Sequence, residues 1–134
     1  MAYKGYLIKV GSYTIPQNKI RAESYSAVLH VQDLDSFRDA NGVLNRTALE
    51  HTVPEVNFEL KPLLTNTEVA DIFSEIKSNY TIPAERRVSA TVYVPELDDY
   101  VTQDMYMPDI NFPIYGTYEN KITYNAIPVS FIGY

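Results

Sequence analysis

Two histidines and a run of acidic residues are the side chains in this sequence best suited to chemistry. His30 and His51 lie on either side of Asn41-Gly42, a dipeptide strongly favoured at β-hairpin turns. A two-residue turn there sets His51 opposite Gln32 and His30 opposite Val53, which makes the imidazoles diagonal neighbours that could begin a metal site. With two His and no Cys in the chain, nothing completes the ligand set, and two ordinary strand histidines is the better reading. The pairs Asp33 with Asp35 and Asp98 with Asp99 could serve acid–base work, but no nucleophile is fixed beside either. The stretch DLDSFRDANG, Asp33 to Gly42, is rich in oxygen ligands yet lacks the ligand order and closing glutamate of a calcium loop. No G-x-S-x-G, Walker loop, H-E-x-x-H or glycine-rich dinucleotide fingerprint occurs. The expectation is a protein without catalytic, metal or cofactor residues.

The elements that would position these residues are mostly strands. Twelve tyrosines, with many Val, Ile and Thr, suit pleated, half-buried surfaces. A first strand is expected at Tyr6 to Val10, a turn at Gly11-Ser12, and a short partner from Tyr13 to Ile15. A long strand follows from Arg21 to Gln32, with Tyr25, Ala27, Leu29 and Val31 on its more apolar face. Past the Asn-Gly turn, Leu49, His51 and Val53 alternate in one phase and Val56, Phe58 and Leu60 in the other. That slip predicts a β-bulge near Pro54.

One helix is expected, over about residues 66–79. Thr65 and Glu68 have capping-box spacing, Leu64 and Val69 have staple spacing, and Val69, Ile72, Phe73 and Ile76 form an apolar stripe. Val88, Ala90, Val92 and Val94 then read as a strand buried on one face, with Pro95 to Tyr100 as a turn and a return strand through Met107. Pro108 to Pro113 reads as irregular. Strands at Ile114 to Tyr118 and Lys121 to Phe131 complete a mainly β (α+β) fold. With no internal repeat and no shift of composition, a single domain over 1–134 is expected.

Composition narrows the function classes. The net charge of −6 and a longest basic cluster of only Arg86-Arg87 argue against gripping nucleic acid. No cystine framework is possible. No signal peptide and no apolar run of membrane-spanning length are evident, so no membrane partner is expected. Tyr100, Tyr106, Tyr115, Tyr118 and Tyr124 suggest an interface or a carbohydrate platform, the latter weakened by the absence of tryptophan.

Three segments carry a resemblance: RDANGVLNR from Arg38 to Arg46, PLLTNTEVADIFSEI through the helix, and the closing IPVSFIGY. Together they resemble a family of small proteins encoded in tail-gene clusters of phages and prophages of Gram-positive bacteria, over most of residues 35–134. More broadly, the strand order around one helix looks like the fold of phage tail-tube, tail-terminator and distal-tail proteins, which implies an antiparallel β-sandwich or roll with one flanking α-helix and residues 35–46 as a protruding β-hairpin arm. The resemblance implies a virion structural protein of the tail, made in the host bacterial cytoplasm, most closely a tail-tube-like subunit. Its partners would be further copies of itself in a hexameric ring, and adjoining tail proteins. Asp35, Phe37, Arg38, Asp39, Asn41, Gly42, Val43, Leu44 and Arg46 are then implicated as an inter-subunit arm. Physics favours such use: Phe37, Val43 and Leu44 could anchor in a neighbour while Arg38 and Arg46 meet its carboxylates, whereas a solvated tip would pair the arginines locally with Asp35 or Asp39. An acidic lumen would let DNA slide through the ring without sticking. The alternatives are a distal-tail, baseplate or terminator protein, or a small module binding carbohydrate or a host surface.

Overall fold

The computed structural model describes residues 3–134, with the side chains of residues 33–36 and 47–49 left aside. In chain order the elements are β1 (Ile8–Val10), β2 (Tyr13–Thr14), β3 (Ser26–Arg38), β4 (Leu44–Leu60), β5 (Leu64–Thr65), α1 (Asn66–Ser78), β6 (Arg87–Val94), β7 (Asp99–Tyr106), β8 (Ile114–Tyr118), β9 (Lys121–Tyr124) and β10 (Ile127–Gly133). Among the described residues, ten strands and a single α-helix make the mainly β, α+β fold that the sequence implies. Seven strands form one antiparallel sheet in the order β2-β1-β6-β7-β10-β4-β3, and three form a small sheet, β5-β9-β8.

The large sheet curls into a roll. Tyr25, just ahead of the β3 edge, donates its hydroxyl to the Tyr93 carbonyl at 2.7 Å, reaching β6 although four strand positions separate β3 from β6. Burial leaves the phenol with a pKa far above its usual value, because an ionised oxygen there would lose its hydration. The concave face is lined by alternate residues, Val88, Ala90, Val92 and Val94 on β6, Val56, Phe58 and Leu60 on β4, and Ile127, Val129 and Phe131 on β10, all buried. Period-2 alternation is what one-face burial of a pleated strand requires.

The helix closes this core with the stripe the periodicity marks: Val69, Ile72, Phe73 and Ile76 are its buried residues. Its start is fixed locally. The Thr65 side chain accepts from the Glu68 backbone N–H, and Lys19 pairs with the Glu68 carboxylate at 2.5 Å. That ammonium is the main reason the carboxyl pKa lies below its usual value.

Several boundaries differ from the sequence-based expectation. The long first-hairpin strand starts at Ser26 and continues to Arg38: Ile20 makes an isolated bridge to Leu60, and the chain then turns out of the ladder, with Glu23 at φ 67° and Ser24 Oγ accepting from the Glu59 backbone N–H. Val31 is exposed, since by that point β3 has left the body. The expected bulge at Pro54 is absent: pairing runs unbroken from Ser26 with Asn57 to Val31 with Thr52, including Leu29 with Pro54. Pro54 is buried in phase with Val56, Phe58 and Leu60, and the apparent slip marks where β4 leaves the core for the arm. The register shifts lie further out, between Val31 and Asp33 and between Leu34 and Phe37. The expected last strand, Lys121 to Phe131, is two strands, because Asn125-Ala126 carries the chain from the small sheet to the large one.

Candidate assembly arm

β10 pairs with β4 only from Leu60 to Glu55. Beyond Pro54, β4 has β3 as its ladder partner and the two continue outward as a ribbon. A two-stranded ribbon in water is marginal by itself, so the sequence around its tip has to hold the turn locally.

It does so with a loop one residue longer than the Asn-Gly dipeptide implies. Asp39 and Val43 close the ladder through Asp39 N–H to the Val43 carbonyl at 2.9 Å, and the Gly42 N–H donates to the Asp39 carbonyl at 3.0 Å. Gly42 sits at φ 81° whereas Asn41 has no positive φ. This is the three-residue hairpin loop with a left-handed glycine, not the two-residue turn expected. Its determinant is Asp39, whose Oδ1 accepts from the Asn41 and Val43 backbone N–H groups at 2.9 and 3.0 Å. Asn and Asp side chains compete for turn amides in this way.

The tip therefore consumes its own carboxylate. Arg38 donates Nη1 to the Gly42 carbonyl at 3.0 Å, Arg46 is exposed on the other strand, and the side chain of Asp35 lies outside the described residues. The apolar residues remain uncovered: Phe37 is 60% exposed, Val43 57% and Leu44 45%. Pairing of Phe37 with Asn45 and Arg38 with Leu44 puts Phe37 and, through the Asp39–Val43 closure, Asp39 and Val43 on one face. Arg38 and Leu44 occupy the other.

The residues considered for chemistry are dispersed. His30 faces Val53 as expected, and its Nε2 lies 2.9 Å from Glu55 Oε2. The His51 Nε2 lies 2.6 Å from the Tyr134 carbonyl, and the register shift breaks the expected pairing with Gln32. Asp98 accepts from the Tyr93 hydroxyl and Asp99 from the Tyr100 N–H, so both serve the β6–β7 turn. The tyrosine cluster divides. Tyr100 donates to the Tyr6 carbonyl, Tyr106 packs on Tyr134, and Tyr124 packs on Phe112, whereas Tyr115 and Tyr118 are exposed on β8.

A surface that sequence reasoning passed over flanks α1. Phe112, inside the irregular segment between two prolines, meets Phe73 edge-on at 5.1 Å and Tyr124 at 6.3 Å. A cleft of about 190 Å³ between Phe73, Lys77, Tyr80, Arg86, Met107 and Phe112 adjoins one of about 230 Å³ bounded by Val69, Ala70 and Tyr124. The available signal was an aromatic residue in a proline-bounded loop, which by itself does not say what it packs on.

A search of the curated proteins finds no match. Among solved structures, the fold is similar to a chain in the tail of an empty GTA particle computed with helical refinement and C6 symmetry, with 15% identity, TM-score 0.50, and 99% of this chain and 95% of that one covered. It is likewise similar to a chain in the virion of a native gene transfer agent (GTA) particle, with 14% identity, TM-score 0.51, and 97% and 91% covered. Those likenesses establish a shared fold over nearly the whole length of each chain. The family follows from a separate match of the entire sequence, residues 1–134: the chain belongs to the family of unknown function DUF6711.

Proposed function

We propose that this chain is a non-catalytic structural subunit of a phage-like tail, located in the virion and assembling with copies of itself into six-membered rings of a tube. The observation that carries the reading is the fold shared end to end with a chain of a C6-symmetric tail. The arm supports it. A ribbon that leaves the body with Phe37, Val43 and Leu44 exposed is poorly suited to a monomer in water and well suited to a surface completed by a neighbour. Arg38 and Arg46 would add polar contacts at the rim. The net charge of −6 suits a channel through which DNA passes without adhering. A distal-tail, baseplate or terminator position uses the same ring logic and differs in which tail proteins adjoin it.

The second reading, a module binding carbohydrate or a host surface, draws on Tyr115 and Tyr118, exposed at the β8 edge. Size-exclusion chromatography with mass measurement, followed by electron microscopy, separates the two. The tail reading expects rings or tubes with six-fold views. A strict monomer at every concentration that binds glycans overturns it.

A further inference from the structure

We propose that the flank of α1 carrying Phe73 and Phe112 is the socket for the arm of a second copy of this chain, with Phe37 seated in the cleft beside Lys77 and Arg86. This rests on the self-assembly reading above and names the surface that reading leaves open.

Placement comes first. β4 runs 17 residues from Leu44 beside the tip to Leu60, and at about 3.3 Å per residue that is roughly 55 Å of strand. Leu60 is followed within a few residues by β5 and α1. The arm and the α1 flank thus lie toward opposite ends of one long strand, out of each other's reach within a single chain. Two different patches at opposite ends are what a head-to-tail contact needs, and such contacts close into rings or propagate as stacks.

Size and chemistry agree. The cleft of about 190 Å³ has Phe73, Met107, Ile110 and Phe112 as apolar walls, and an apolar cavity of about 150 Å³ accommodates a benzene-sized ring. The Phe37 face of the arm also carries Val43 and Asp39. The adjoining cleft of about 230 Å³, which shares Phe73 and Phe112, offers Val43 a second apolar seat next to Ala70.

Charge selects this flank over the other. The Asp39 carboxylate, whose Oδ1 holds the turn amides and whose negative charge remains, lies two residues, about 7 Å of strand, from Phe37, within reach of the long Lys77 and Arg86 side chains at the cleft. Among the described residues Arg86 has one ion-pair partner, Asp109 at 3.4 Å, whose side chain is fully exposed, and its Nη1 also donates to the Pro108 carbonyl at 3.2 Å; so exposed an ion pair is worth little and readily exchanged. The opposite flank of α1 presents Glu68, Asp71 and Glu75 around Tyr13 and Lys19, and would repel an arm face bearing Asp39.

The chain has no cysteine, so engineered thiols report one contact each. An affinity-tagged V43C variant is mixed with untagged A70C, and separately with E75C on the acidic flank, and treated with a short bismaleimide. Wild-type assembly is measured in parallel by mass. The proposal expects a mixed-size dimer with A70C and at least tenfold less with E75C, and its loss when F37D is added to V43C. Cross-linking to E75C instead, arm-to-arm dimers alone, or no cross-link between V43C and A70C while the wild type does assemble overturns the socket and leaves the tail reading standing. A wild type that stays monomeric at every concentration removes both.

Discussion

The arm and the rolled body of this protein are built from the same two strands and obey different rules. In the body, β3 and β4 hold a constant register from Ser26–Asn57 to Val31–Thr52, and Val56, Phe58 and Leu60 meet a closed core. In the arm the same strands shift register twice within a few residues while Phe37, Val43 and Leu44 face outward. Register is strongly specified where a one-residue slip would expose a buried face, and weakly specified where neither face is buried. The irregularities fall where packing ceases to enforce alignment, and Asp39 and Gly42 take over at the tip.

The contrast can be broken most severely at the arm. Replacing Phe37 and Val43 together by Asp is expected to abolish assembly while the circular-dichroism spectrum and melting temperature of the body stay as in the wild type; intact assembly would contradict the arm's role. The charge variant R38E with R46E tests its other face and should also prevent assembly without loss of fold. In the body the large effects are on stability instead. Phe131, fully buried on β10, is expected to cost about 3–5 kcal/mol when cut to Ala, measured by urea unfolding.

Smaller effects sharpen the boundary between the regions. A Cβ on Gly133 would stand 2.6 Å from Pro54 Cδ, in the rigid ring where β4 leaves the sheet, so G133A should destabilise by about 1–3 kcal/mol through overpacking. Removing the helix cap with T65A should cost about 0.5–2 kcal/mol. The Lys19–Glu68 pair is the smallest term. Glu68 has a folded pKa below its unfolded one, so its contribution is present above the unfolded value, near 4.3, and is lost as pH falls through the depressed folded value. The E68Q variant should show a shallower loss of stability across that acid window, by less than about 1 kcal/mol for so exposed a pair. A variant with the full acid dependence of the wild type would remove Glu68 from the account.

Much of the body was legible in the residues. The helix stripe, the Thr65 cap, the alternation of Val88 to Val94 and the strand Ile114 to Tyr118 all appear where local periodicity and capping chemistry put them. The errors have two origins. At Pro54 the alternation changed phase because the strand passed from core to arm, and a sequence carries no mark of where the core ends. At Asn41-Gly42 the dipeptide pointed to a two-residue turn, yet the Asp39 carboxylate, by binding two amides, favours the longer loop. Both surfaces of the assembly reading divide the same way. The arm announced itself as grease around a turn, whereas the α1 flank is made by Phe73, Phe112 and Tyr124 from distant parts of the chain.

By itself the sequence determined the fold class, the single helix with its buried face, and the reversal at Gly42, because propensity, period and capping act within a few residues. Only the tertiary structure decided that the large sheet rolls until Tyr25 reaches β6, that the final strands belong to two sheets, and that an aromatic cleft opens beside α1 opposite the arm. Those features depend on which distant faces bury one another, and burial is a property of the packed chain that no local stretch encodes.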